Sequence, residues 1–152
     1  MKKILFIVLF IASLNISEAV AQQGYKAVYS VGGVTLQGGG NVMMGFDFPN
    51  NFYTSFEISM QYYFNGSEKN YLGGLAYKPC LSKGINSMFR GKIGGAVGTT
   101  THKTIFAPIL GFEYIYSLTP VVDFLWLTDG GYYHNTIETW RVNTYVGFRI
   151  NF

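Results

Sequence analysis

The closing stretch, Thr139 to Phe152, constrains the chain more than any other. Its even positions are Trp140, Val142, Thr144, Val146, Phe148, Ile150 and Phe152, all but one strongly apolar. Its odd positions are Thr139, Arg141, Asn143, Tyr145, Gly147, Arg149 and Asn151. A period of two with one greasy face and one charged face predicts a β-strand. Soluble strands usually run to about five or six residues, so this one is long. A tilted strand crossing a bilayer needs roughly nine to eleven residues, which it supplies.

Composition agrees with lipid contact. Charged residues make up only 12% of the 152, and aromatics reach 18%. A soluble domain averages about 25% charge. The net charge of +3 and the lack of a basic run argue against nucleic acid as a partner. Cys80 is the single cysteine, so neither an internal disulfide nor a cysteine metal site is available. It reads as a small buried residue, and nothing in the chain suggests a cofactor or a metal.

The N-terminus reads as a processing signal. Lys2 and Lys3 precede an apolar run from Ile4 to Leu14, and Ala19-Val20-Ala21 supplies a small-x-small cleavage pattern. The run is shorter than the roughly twenty residues of a spanning helix. Residues 1–21 are therefore expected to be a cleaved signal peptide and residues 22–152 an exported barrel domain.

Eight alternating segments follow, separated by clusters of Gly, Asn, Pro and Ser. They run about Tyr25–Leu36, Asn41–Phe48, Phe52–Phe64, Tyr71–Cys80, Met88–Thr99, Thr104–Tyr116, Val121–Thr128 and Thr139–Phe152. Asn65 to Asn70 reads as a polar loop, Leu81 to Asn86 as a turn, and Asp129 to Ile137 as the longest connection. An even strand count suits a bacterial barrel with both termini on the periplasmic side. The expected fold is all-β: an eight-stranded antiparallel up-and-down transmembrane β-barrel in the cell outer membrane, with outer-membrane lipid as its surroundings.

The charges test that expectation. Carried through every strand, the alternation lets Lys26, Asp47, Glu57, Lys78, Arg90, Lys92, Glu113, Asp123, Arg141 and Arg149 share one face. Opposite them stand Phe46, Phe56, Phe89, Phe112, Phe124, Trp140 and Phe148. A cation at the midplane of the lipid face costs roughly 2–4 kcal/mol, so the charged face is expected to be the lumen. Eight strands enclose only enough room for side chains. Charges packed there must pair, which predicts a salt-bridged plug and no open pore. The periodicity is equally compatible with a soluble lipocalin-like barrel turned the other way, apolar inside and charged outside.

Other clusters carry less. Gly91, Gly94, Gly95 and Gly98 match no phosphate-binding pattern, and Arg90 and Lys92 argue against a helix-pairing motif, so they read as relief of crowding in a curved strand. His134, Thr136 and Glu138 form the one catalytic-looking trio, a histidine with a hydroxyl and a carboxylate. The expectation is nonetheless that the chain is not an enzyme. His102 reads as a solvated loop residue, and two separated histidines make no metal site. Trp126, Tyr132, Tyr133 and Trp140 read as part of an interfacial aromatic girdle.

The overall plan resembles the small eight-stranded outer-membrane barrels of the OmpA/OmpX type. The most specific piece is Tyr145-Val146-Gly147-Phe148-Arg149-Ile150-Asn151-Phe152. It is similar to the C-terminal signal that such barrels present to their insertion machinery, implying that role for Tyr145, Phe148, Ile150 and Phe152. Barrel enzymes that trim lipid A carry Ser-Asn after their histidine, which Thr136-Ile137 does not match. A second likeness is to the TraO proteins of Bacteroides-type conjugative transposons. It rests on the Glu57-x-x-x-Gln61-Tyr62 stretch, a Gly-Gly strand pair and the Gly147-Phe148-Arg149-x-Asn151-Phe152 ending. The chain is shorter than those proteins and has Glu113-Tyr114-Ile115-Tyr116-Ser117-Leu118 where they carry Glu-Thr-Tyr-Leu-Ser-Asp. That likeness implies other conjugation proteins as partners.

Overall fold

A computed structural model describes residues 26–50, 53–66, 68–100 and 103–152. The expected signal peptide and His102 lie outside the described residues, as do the expected strand starts at Tyr25 and Phe52. Among the described residues nine strands form one antiparallel sheet: β1 (Ala27–Thr35), β2 (Gly40–Pro49), β3 (Ser55–Asn65), β4 (Glu68–Lys78), β5 (Cys80–Lys83), β6 (Ser87–Thr99), β7 (Thr104–Ser117), β8 (Val122–Tyr132) and β9 (Trp140–Asn151).

Every strand pairs with its neighbours in sequence except β4 and β5, which do not pair with each other, and two further ladders complete the cylinder. β1 pairs with β9 from Ala27↔Asn151 to Thr35↔Asn143. β4 pairs with β6 from Tyr71↔Thr99 to Tyr77↔Ile93. The β5 segment continues the stave begun by β4 and pairs with the start of β6, with a register irregularity between Cys80 and Ser82. The result is a closed eight-stave up-and-down barrel. Pro79 causes the interruption: it has no N–H for the ladder, although its carbonyl still accepts from the Gly91 N–H at 2.9 Å.

Three boundaries differ from the sequence expectation. Asn65 already pairs with Glu68, so the polar loop expected over 65–70 contracts to a tight reversal next to Gly66. Glu68 and Asn70 are polar because they face inward, and both are buried. The fourth stave runs on to Lys83 instead of turning back at Leu81, and Cys80 on it is only half-buried. Asp129-Gly130-Gly131 looks like a turn but belongs to β8, pairing with Asn143, Val142 and Arg141. Asp129 is inward and buried there.

The faces are inverted relative to a soluble barrel. Outward positions include Met44, Ile58, Met60, Leu75, Leu110 and Phe148, each more than half exposed. Inward positions hold eleven buried acidic and basic side chains, together with amides, hydroxyls and two apolar clusters. The waist of the barrel is thus lined on its outside by exposed apolar side chains from every stave, a kind of surface that soluble monomers rarely show water. The lipocalin-like alternative requires the opposite arrangement and is excluded.

Aromatic pairs ring both ends of the outer surface. At the end where β1 begins and β9 finishes, Phe46 packs on Phe48 and Phe152, and Phe89 stacks on Phe112. At the far end Tyr62 contacts Phe64 and Tyr71, and Tyr132 meets Trp140 edge-on. Trp126 sits nearer mid-height, where its N–H donates to Thr144 Oγ1 at 3.0 Å, and Thr128 and Thr144 share a hydroxyl contact at 3.1 Å. Polar groups on the outer face therefore satisfy one another, as hydrocarbon surroundings demand.

Candidate functional site

The lumen is the chemically distinctive part of the molecule. Alternation places its groups: inward positions of every stave converge on one axis, and a strand buries a side chain only every second residue. Nearest the start of β1, Arg149 faces Asp123 at 3.4 Å and Asp47 at 3.5 Å, and Asn151 Nδ2 donates to Asp123 at 2.8 Å. Above them lies the densest cluster. Lys78 Nζ contacts Glu57 at 2.5 Å, Glu113 at 2.6 Å and Asp47 at 3.1 Å, with all four side chains 0% exposed. Arg90 donates to Glu113 and Asp47, and through Nη1 to Ser55 Oγ at 2.7 Å. Lys92 bridges upward, 3.0 Å from Glu57 and 3.5 Å from Asp129.

A layer of neutral groups follows. Asn143 Nδ2 donates to Asp129 at 2.8 Å and to the Tyr133 hydroxyl at 3.2 Å. Asn41 donates to Asn143 and Thr35, and Gln61 donates to Tyr145 at 2.6 Å. At the far mouth Arg141 pairs with Glu68 at 3.0 Å, and its guanidinium lies over the rings of Tyr63 and Tyr133 at 3.8 and 4.8 Å. The connection from β8 to β9 folds over this layer. Its Glu138 accepts from the Tyr63 hydroxyl at 2.7 Å and from Asn65 at 3.0 Å, tying the connection to the β3 end.

Nine of the ten residues read as one charged face are brought together inside: Asp47, Glu57, Lys78, Arg90, Lys92, Glu113, Asp123, Arg141 and Arg149 are all buried. Lys26 is not among them. It precedes β1, is exposed, and stands on the opposite parity to the inward Ala27. Sequence reasoning missed Glu68 and Asp129, because both sat in stretches read as loops. The buried set is therefore five cations with six carboxylates, in place of the six cations and four anions expected. Running the period of two back from the strand at Tyr71 would have reached Glu68, and running it one residue on from Thr128 would have reached Asp129.

The remaining candidates separate. Thr136 spends its hydroxyl on the carbonyls of Tyr133 and Glu138, Glu138 reaches across to Tyr63 and Asn65, and His134 is exposed with its backbone bridged to Phe106. No histidine–hydroxyl–carboxylate relay exists among these three. Of the four aromatics read as a girdle, Trp126, Tyr132 and Trp140 face outward, whereas Tyr133 is fully buried in the lumen. Within the C-terminal stretch Phe148 and Phe152 are outward and exposed, Ile150 is half-buried, and Tyr145 faces inward. No group of three or more potential metal ligands occurs among the described residues.

Comparison of the fold with solved structures gives one consistent answer. The N-terminal β-barrel domain of Pseudomonas aeruginosa OprF matches with a TM-score of 0.71 at 14% identity, over 86% of this chain and 98% of that one. The fold is that of the small outer-membrane barrels. Neisserial surface protein A matches at 0.58 and 16% identity, over 90% of this chain and 100% of that one. The outer membrane enzyme PagL matches at 0.51 and 12% identity, over 83% and 99%. Neither protein-family models nor curated protein sequences give a match.

Proposed function

We propose that this chain is a non-enzymatic protein of the outer membrane, held there by a plugged barrel and acting through its outer rim. The observation that carries the reading is the Lys78 cluster: one ammonium within 3.1 Å of three carboxylates, every group at 0% exposure. Separating such charges to admit a solvated ion costs several kcal/mol per ion. The lumen then serves stability, and interaction falls to the surfaces. At the far rim Leu36, Ile137 and Trp140 are 77%, 81% and 68% exposed, giving an apolar fringe suited to adhesion or to packing in the outer leaflet. The test is single-channel recording in planar bilayers. The expected trace is flat; stable ohmic steps from the purified barrel would overturn the plug.

The same reading assigns the C-terminal residues to assembly. Phe152 donates its N–H to the Lys26 carbonyl at 2.9 Å and its ring meets Phe46, so it finishes the seam between first and last staves. Removal of Phe152 is expected to lower insertion by the barrel-assembly machinery while leaving export intact, measured as the surface-assembled fraction. A lipid-modifying activity finds no support in the His134, Thr136 and Glu138 arrangement. The conjugation reading draws on Glu57 and Gln61, both of which the lumen already employs.

A further inference from the structure

Among the described residues, the mouth at the end where β1 begins is not filled. Three turns and the ends of β3, β6 and β9 surround a cavity of about 420 Å³, within the roughly 300–1,000 Å³ usual for small-molecule sites. Its upper walls are apolar, from Pro49, Ile85, Met88, Ile115, Leu118 and Pro120. Its ionisable lining residues are Lys83, Arg90 and Arg149, with Asp123 the one carboxylate.

The cations differ in how far they are satisfied. Arg90 is spent on Glu113, Asp47 and Ser55. Arg149 is the exception among the buried cations: its nearest carboxylate contacts are 3.4 and 3.5 Å, whereas each of the others has one at 3.0 Å or less. It is 7% exposed, and its Nε has no hydrogen-bond partner. A buried guanidinium left short of acceptors is costly, and an oxyanion of matching geometry would complete it. The rim supplies a second charge. Lys83 Nζ lies 3.4 Å above the centre of the Tyr53 ring, and Tyr53 itself adopts φ 65, a left-handed conformation costly for an aromatic residue. Strain of this kind collects at binding sites.

We propose that this mouth binds a small amphiphilic oxyanion, a carboxylate or phosphate monoester with a short apolar body. The head would sit against Arg149 with Lys83 over the entrance, and the body against Ile115, Met88 and Leu118. Two sources present this chemistry: a soluble organic anion, or the phosphate and first carbons of a neighbouring phospholipid.

The experiment uses the full mature barrel in neutral phosphatidylcholine nanodiscs, titrated with hexanoate and followed by amide NMR shifts. Saturable shifts are expected at residues 83–90, 117–123 and 149–151. Neutral hexanamide should bind about ten- to a hundredfold more weakly, the worth of a charge-assisted contact. Lys83→Glu lies on an exposed segment and is expected to fold normally, as its unchanged gel mobility would verify, yet to weaken hexanoate several-fold. Arg149→Gln should abolish saturation. Nanodiscs doped with phosphatidylglycerol separate the sources: competition assigns the site to lipid, and unchanged affinity assigns it to a soluble anion. Equal affinity for hexanoate and hexanamide, or an unaltered response in Lys83→Glu, would overturn the proposal.

Discussion

Lys78 illustrates how much one buried side chain can carry. Its ammonium is shared among Asp47, Glu57 and Glu113, and it also lies 4.7 Å from the centre of the Tyr29 ring. Replacing it by Met keeps the volume and removes the charge, leaving three carboxylates with Arg90, Lys92 and Arg149 as their remaining partners. Breaking a buried ionic cluster from one side costs roughly 3–5 kcal/mol. Lys78→Met is expected to lower the unfolding free energy of the membrane-inserted barrel by that amount, read from the shift of its urea transition by tryptophan fluorescence. The isosteric Glu68→Gln should cost less, because Arg141 keeps both its ring contacts and the Glu138 carbonyl. At this scale the inward charges were legible wherever a hydrophobic neighbour marked the parity, as for Glu57 between Phe56 and Ile58. They were missed at Asp129, because Gly130 and Gly131 follow it and the three together look like a turn, although the parity of Leu125 and Leu127 runs on to it.

Strands in so narrow a cylinder must coil tightly, and the inward glycines show where. A Cβ added at Gly94 would lie 2.2 Å from the Leu75 carbonyl oxygen, and one at Gly147 would lie 2.1 Å from that of Ser30. Both clashes are with backbone of the neighbouring stave, which cannot swing aside. Gly147→Val is therefore expected to block closure between β1 and β9 and to abolish the folded, fast-migrating species on unboiled gels. Gly73→Ala, outward and with its nearest atom at 3.9 Å, should fold as the parent does. The sequence carried this signal as a cluster of glycines without their direction: Gly94 turns inward, whereas Gly95 pairs with the outward Pro108. Interruption of a stave at Pro79 was equally hidden. A proline beside a cysteine at the end of an alternating run looks like a terminus, and only the β6 ladder opposite shows that pairing resumes.

For the molecule as a whole, every stave has a partner on each side, so no sheet edge is left for water or detergent to attack. The barrel refolded in detergent is expected to migrate faster unboiled than boiled, and to remain soluble only while detergent or lipid is present. An aqueous, non-shifting monomer would contradict the apolar waist. Fold class was readable at this scale because two independent signals agreed, an alternation too long for a soluble strand and too little charge for a watery surface. Contents of the mouths were not. They depend on which turns approach each other in space, as the distant Ile85 and Leu118 do around one cavity.

The ladder between β1 and β9 joins Ala27 to Asn151, residues at opposite ends of the described chain. Its formation has the largest loop to close of any contact in the barrel, and loop closure precedes the reward of pairing. Hairpins such as β2–β3 can zip locally, but the cylinder cannot seal until β9 is present to pair with β1. A chain stalled before β9 would hold an open curl with two sticky margins, adapted to capture by a partner strand or a chaperone. The seam therefore acts as a completion check: a truncated copy cannot pass for a finished one.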